Sequence, residues 1–250
     1  MEIYDSETYG ERHAGVYDHW YSSCDDITIT TLAELARGGR ALELGIGTGR
    51  IAIPLAMKGV DISGIDASPP MIEKLRGKAA GKDIPVSIGN FADVDIEGMF
   101  SLIFVATGTF FVLLSQEEQV RCFRNAARHL TSDGVFLVEA SVPDLSRYSA
   151  GQVVRASKVT SDTVSLHVAV HDPGEQRIAG QQIVINQSGI QMYPAQFRYA
   201  WPSELDLMAQ LAGLRLRDRW ENWRCEPFTS RGTHHVSLYE RTAPSCGGDV

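Results

Sequence analysis

Glu43-Leu44-Gly45-Ile46-Gly47-Thr48-Gly49-Arg50 stands between a short apolar run, residues 41–44, and a segment with Ile51, Ile53, Leu55 and Ala56 at helical spacing. A buried parallel strand and a helix leave these two signatures. The turn between them carries Gly45, Gly47 and Gly49. Glycine accepts left-handed backbone and, having no side chain, lets a bound molecule lie against the main chain. The free amides that open the next helix can receive a carboxylate or a phosphate. Asp66 ends the following strand, residues 60–66, about twenty residues on, where an acidic group can accept both hydroxyls of a ribose.

Taken alone, these features also fit a dinucleotide site. That fingerprint is GxGxxG or GxGxxA, its last small residue letting helix pack on strand. Here Arg50 holds that last position, the third glycine comes one residue early, and Glu43 is additional.

Outward from this turn, strands and helices alternate to about residue 142. The segment 50–58 reads as a helix stopped by Gly59, with Pro54 early in it. Ser68 is placed to cap a helix whose first turn holds Pro69 and Pro70. Residues 85–89 and 100–106 read as strands three and four. Ser115 with Glu118 three residues on forms a capping box for a long helix with the stripe Val120, Phe123, Ala127 and Leu130. The TSDG turn closes that helix, and residues 135–140 form strand five. This order implies parallel strands joined by right-handed crossovers, with helices on both faces.

The period changes after Pro143. Val164, Leu166, Val168 and Val170 alternate with Ser165, His167, Ala169 and His171, a period of two, and Asp172-Pro173-Gly174 marks a turn. Residues 143–198 read as an antiparallel insertion of two to four strands, placed as a lid over the catalytic end. The α/β pattern returns at Ser203, a candidate helix cap, and ends with strands at 214–223 and 234–239. The expectation is one α/β unit over residues 1–250. Its core spans about 25–142 and 199–241 and holds a seven-stranded, mostly parallel sheet with helices on both faces; the insertion at about 143–198 is a small antiparallel β unit.

The chain carries a net charge of −8, which argues against a surface that tracks phosphates. Arg215, Arg217 and Arg219 alternate along one strand and read as a solvated face. Cys24, Cys122, Cys225 and Cys246 form no CxxC pair and no metal spacing, so free thiols and no metal are expected. The polar start and the lack of a long apolar run suggest no signal peptide and no membrane span, hence a cytoplasmic protein. The last eight residues, APSCGGDV, read as a frayed tail.

In order, ELGIGTGR, GIDAS followed by MIEKLR, IGNFAD, and FSLIFVATGTF followed by a capped helix and TSDGVFLVE resemble successive motifs of the class I S-adenosylmethionine-dependent methyltransferases. The resemblance covers roughly residues 9–142 and resumes at YAWPSELDLMAQLAGLRL. GVYDHWY is similar to the variant found in small-molecule enzymes of the sugar N-methyltransferase type. The resemblance implies a Rossmann-like fold and S-adenosylmethionine as cofactor. Gly45, Gly47 and Gly49 would form the cofactor loop, with Glu43 tied to the cofactor's amino group through water or backbone. Asp66 would hold the ribose and Ala67 lie beside the adenine. Asn90 and Phe91 would meet the adenine edge, and Ala106 would present a carbonyl to the methionine amine. Tyr17 and Tyr21 would close over the methionine end. Two positions depart from the family pattern: Asn90 stands where Asp is usual, and Val112 where some sugar N-methyltransferases carry a site histidine.

On the acceptor side, Glu139 ends strand five at the carboxyl edge of the sheet and is a candidate base or substrate contact. Phe110, Tyr193, Phe197 and Trp223 are candidates for an aromatic acceptor pocket, or else core residues. His167 and His171 share a strand face, and His234 and His235 point to opposite faces and cannot pair on a metal. The function expected is methyl transfer to a nitrogen, oxygen or carbon of a small molecule, without nucleic acid or membrane as partner; a homodimer is allowed. The alternatives are a nicotinamide-dependent (NAD) oxidoreductase and a non-catalytic binding protein of the same fold.

Overall fold

The computed structural model describes residues 4, 7–93 and 96–242. The expected tail at 243–250, with Cys246, lies outside them. Two short helices, α1 (Thr8–His13) and α2 (Tyr17–Trp20), precede α3 (Asp26–Ala36). The chain then alternates through β1 (Ala41–Leu44), α4 (Ala52–Met57), β2 (Ile62–Asp66), α5 (Pro69–Gly77), β3 (Val86–Ile88), β4 (Phe100–Val105), α6 (Gln116–His129) and β5 (Leu130–Ser141). Four strands follow, β6 (Gln152–Val159), β7 (Thr163–Asp172), β8 (Arg177–Asn186) and β9 (Gly189–Arg198). Finally come α7 (Pro202–Leu211), β10 (Leu214–Trp220) and β11 (His234–Arg241).

The large sheet has seven strands in the order β10-β11-β5-β4-β1-β2-β3. Strands β1 to β5 pair in parallel, and β11 runs antiparallel to both β5 and β10. Alternate residues of β4 feed two cores, as the period of a strand requires. Ile103 and Val105 pack with Phe123 of α6 and Leu205 of α7. Leu102 and Phe104 pack with Leu32 of α3, Leu55 of α4 and Leu75 of α5. Helices therefore cover both faces, and the fold is the expected Rossmann-like α/β arrangement with a separate four-stranded antiparallel sheet, β6-β7-β8-β9.

Two of the three expected caps form. Ser68 Oγ accepts from the Met71 amide at 3.4 Å, and Ser115 and Glu118 exchange the two bonds of a capping box. Several boundaries move for local reasons. Helix α4 starts at Ala52, not 50, because the glycine turn extends through Ile51. The TSDG stretch does not close α6 as a separate turn. Leu130 is buried and already pairs with Phe100, and residues 131–134 bulge before Val135 pairs with Leu102. Helix α7 begins at Pro202, with Trp201 rather than Ser203 in the cap position; a proline in the first turn forfeits no hydrogen bond. Strand β10 ends at Trp220, so Trp223 lies in the following loop. The three arginines of β10 are each paired, Arg215 with Glu240, Arg217 with Asp218 and Arg219 with Asp206.

The antiparallel sheet is fastened to the core by a buried polar cluster. Arg198, at the end of β9, donates to Gln119 Oε1 at 2.6 Å, Gln176 Oε1 at 3.1 Å and Glu204 Oε1 at 2.8 Å. Gln119 returns a bond to the Arg198 carbonyl at 2.8 Å, and Glu204 also accepts from Gln116 and Gln176. Every charge taken out of water here has a partner, as burial requires.

Candidate active site

The carboxyl ends of β1, β2 and β4 and the turn after β3 open onto a cleft of about 320 Å³. Gly45 and Gly47 line it at φ 75° and 53°. A Cβ at Gly45 would strike Thr109 at 2.5 Å; one at Gly47 would stand 4.0 Å from Asp66 Oδ2, in the space a ligand would use. Gly49 faces Leu75 and Ile53 and serves packing rather than the cleft. The loop is pinned to the sheet by bonds from the Gly45 and Ile46 amides to the Ile65 carbonyl.

Asp66 reaches into the cleft at the end of β2. Its Oδ2 accepts from the Gly47 amide at 2.7 Å and its Oδ1 from the Ser68 amide at 2.8 Å. Burial pushes its carboxyl up, against these two bonds, which favour the anion. Each oxygen retains an acceptor site for a further donor. Ala67, Asn90 and Phe91 continue the wall. Asn90 Oδ1 accepts from the Ala92 amide, and its Nδ2 donates to Glu118 of the capping box at 3.3 Å.

Glu43 lies behind the loop, 5% exposed, and does not line the cleft. Burial raises its carboxyl well above the usual range, opposed by the charge of Arg50. Arg50 lines the cleft; its Nη1 donates to the Ser23 carbonyl at 3.2 Å, while its Nε is buried with no partner among the described residues. Tyr17 and Tyr21 stand at the rim with ring centroids 4.9 Å apart, and Tyr9 stacks on His13 at 4.1 Å. Burial raises the phenols of Tyr9 and Tyr17. Ala106 is buried beneath the cleft and its carbonyl accepts from the Thr109 amide, so residues 107–109 form the wall in its place.

The acceptor-side candidates divide. Phe197 lines the cleft. Phe110 does not: its ring is fully buried against Phe111 and Phe123, because the one-turn helix after Gly108 rotates it into the core. Tyr193 packs edge-on against Trp20 at 4.8 Å, behind the cleft wall. Trp223 also stays outside, donating from its indole nitrogen to Glu139 Oε1 at 2.9 Å. The other oxygen of Glu139 accepts from the Thr107 amide at 2.7 Å. Thr107 and Gly108 both hold positive φ, 56° and 73°, an unfavourable conformation for threonine that these bonds maintain. Glu139 is thus occupied in holding the loop and does not line the cleft. His171 bonds Tyr199 Oη at 2.9 Å, and neither it nor His167 lines the cleft.

Tyr9, Arg50, Met71 and Leu113, which no motif in the sequence marks as site residues, also line the cleft. The spacing of Tyr9, His13 and Tyr17 along the N-terminal segment was the available signal for the first. Val112, at the position where some relatives carry a histidine, also lines the cleft.

An open, mostly parallel sheet whose carboxyl edge presents a cleft with bare backbone and one lining carboxylate defines a nucleoside-binding α/β protein. Residues 41–134 match the family model described as a methyltransferase domain. The chain is 37% identical to the CcbJ methyltransferase from Streptomyces caelestis, covering 96% of this chain and 100% of that one with a TM-score of 0.88. It is 28% identical over 208 residues to the cypemycin N-terminal methyltransferase of a Streptomyces species, 82% of this chain and 84% of that protein. DesVI of Streptomyces venezuelae, at 18% identity and TM-score 0.69, shares the fold. The chain belongs to the S-adenosylmethionine-dependent methyltransferases, and its cofactor is S-adenosylmethionine. The relatives leave the oxidoreductase reading without support.

Proposed function

We propose that the cleft holds S-adenosylmethionine with its ribose on Asp66, its adenine beside Ala67, Asn90 and Phe91, and its methionine end toward Arg50, Tyr17 and Tyr21, and that the acceptor is an amine of a small molecule. The fit rests on the open space beside Gly47, on the carboxylate fixed by two amides, and on the unpartnered Arg50 Nε. These features complement a molecule with vicinal hydroxyls at one end and a carboxylate at the other.

When bound, S-adenosylmethionine supplies a methyl group made electrophilic by its sulfonium sulfur. The protein's own part is to align the acceptor and to exclude water. Gly45 and Gly47 give close contact along the floor, and Asp66 fixes the depth. Tyr9 and Phe197 flank the acceptor side, and Val112 and Leu113 keep it apolar.

The observation that favours an amine is the set of groups facing the cleft. Asp66 is the one carboxylate among the described residues that line it, no histidine, cysteine or lysine joins it, and burial raises two of its phenols. A hydroxyl acceptor needs a base; a neutral amine brings its own lone pair and gives up its proton to water after transfer. The names of two relatives, the cypemycin N-terminal methyltransferase and an N,N-dimethyltransferase of Saccharopolyspora spinosa acting on an amino sugar, agree with this reading. Four further features accompany it: the protein acts in the cytoplasm, the unit is one domain over residues 1–250, the β6–β9 sheet covers the acceptor, and no nucleic acid is bound. Support comes from the net charge of −8, from the paired arginines of β10, and from Phe197 at the cleft. Among the described residues, no helix is long and apolar enough to cross a membrane.

The test uses methyl-labelled S-adenosylmethionine with matched amine and alcohol acceptors. Label should enter the amine, with kcat/KM rising with pH to the acceptor's own pKa. Preferential labelling of the alcohol would refute the amine assignment.

A further inference from the structure

Glu43 poses a problem of charge that the protein's own groups do not solve. Its side chain is buried behind the glycine turn, and Oε2 has no partner among the described residues. The residues in register on the flanking strands, Gly64 of β2 and Phe104 of β4, bring no charge. A bond from the Ala52 amide and the charge of Arg50 favour its anion. Burial, the largest influence, and the charge of Asp66 oppose it. On the N-terminal side, Tyr17 and Cys24 both sense Glu43 and Arg50, and Cys24 also senses Glu139. Arg50 is the one cation in this group, and its Nε is itself buried and unpartnered.

A buried carboxyl with a free oxygen stays neutral unless a positive charge arrives beside it. With Glu43 neutral, Asp66 and Arg50 balance each other. With Glu43 ionised, one negative charge is in excess. The two forms of the cofactor differ in this respect. The methyl donor carries a carboxylate, an ammonium and a sulfonium, and so has a net positive charge. Its demethylated product, S-adenosylhomocysteine, keeps the carboxylate and the ammonium but has a neutral thioether, and its charges cancel. The donor supplies the charge that an ionised Glu43 lacks, and the product does not. A carboxylate that only held the amino group would treat the two alike, since both carry that group.

We propose that Glu43 reads the charge of the cofactor: it gives its carboxyl proton to solvent as S-adenosylmethionine enters and takes one back once the sulfonium has become a thioether, so that the site favours donor over product. The cycle balances. Donor and acceptor amine become S-adenosylhomocysteine and a methylated ammonium, and the proton released at entry returns to Glu43 before the next turnover. The inference rests on the proposed placement of the methionine end at Arg50. It adds a residue that decides between the two forms of the cofactor without lining the cleft.

Calorimetric titration of S-adenosylmethionine and of S-adenosylhomocysteine into the full chain, near neutral pH in two buffers of different ionisation enthalpy, counts the protons. The wild type should release about one proton per donor bound and clearly fewer per product bound. Glu43→Gln, which keeps the shape of the neutral acid, should release none, and its preference for donor over product should fall by about tenfold. Infrared difference spectra of the unmodified protein give a second reading: a protonated-carboxyl band should vanish with the donor and persist with the product. Donor binding without proton release, equal release with donor and product, equal release in the variant, or an unchanged preference in the variant would each overturn the proposal. The wild-type comparison decides the matter even if the variant does not fold. Arg50→Gln separates the two layers of the argument. Donor affinity equal to that of the wild type would refute the placement at Arg50, and the role of Glu43 with it. A weakened Arg50→Gln beside a wild type that releases no proton would leave the placement standing and remove the role of Glu43 alone.

Discussion

The cleft edge of the large sheet and the β6–β9 meander handle their polar groups in opposite ways. At the cleft edge the backbone itself is the binding surface: Gly45 and Gly47 carry no side chain, and Asp66 is held by two main-chain amides. In the meander most of the backbone is consumed by strand pairing, and the contacts outward are made mainly by side chains, Phe197 to the cleft and Arg198 to the core. A backbone site demands glycines at fixed places and leaves a sequence signature. A side-chain site built on a plain hairpin ladder does not. The first arrangement suits a cofactor of constant shape, the second an acceptor that differs among relatives.

This contrast can be broken or sharpened by substitution. Gly47→Val should have the largest effect. Valine at φ 53° is strained and its side chain would fill the space beside Asp66. S-adenosylmethionine binding should fall by about a thousandfold, about 4 kcal/mol, while the circular dichroism spectrum stays near native. Retained affinity would show that the backbone floor is not the binding surface. Arg198→Ala comes next. It strands Glu204 and the Gln119 side chain in a buried site, and should cost about 3–5 kcal/mol of stability in urea unfolding. A loss below about 1 kcal/mol would mean that the meander is fastened by something else.

Phe197→Ala should raise the acceptor KM several-fold, on the order of 1–2 kcal/mol, with cofactor affinity unchanged; a shift in cofactor affinity instead would dissolve the division between the two regions. The smallest effect should come from His235, buried in β11 of the large sheet and pushed down to about 4, mainly by burial. The unfolded chain takes up this proton near pH 6.5, so its contribution to stability is complete above that value and is lost as pH falls toward about 4. His235→Gln should flatten that part of the stability profile, read as Tm against pH. An unchanged slope would assign the acid limb to other groups, and Glu204 is the first to examine. Burial raises its carboxyl, but bonds from Gln176, Arg198 and Gln116 outweigh this and hold it below the ordinary range. Its contribution therefore survives to lower pH.

The legibility of the chain follows the same division. The alternation of strands and helices, the glycine turn and the placement of Asp66 could be read because each imposes a residue type at a spacing. Period two exposed the antiparallel insertion, though not its four strands. Phe110 and Phe197 were indistinguishable as aromatic residues near the carboxyl edge; only the one-turn helix after Gly108 turns one into the core. Glu139 stands at the edge where ligands gather, yet its two oxygens are taken by Thr107 and Trp223, a contact between residues 84 apart that no local pattern reports. Arg50 read only as the residue that spoils a dinucleotide fingerprint, because its neighbours Ser23 and Tyr17 come from outside the motif.

Calorimetric titration of S-adenosylmethionine into the wild type and into Asp66→Ala tests the central claim most directly. The account predicts tight binding by the first and a loss of about 1–3 kcal/mol in the second, with the fold intact by circular dichroism. Equal affinity in the two proteins would contradict it.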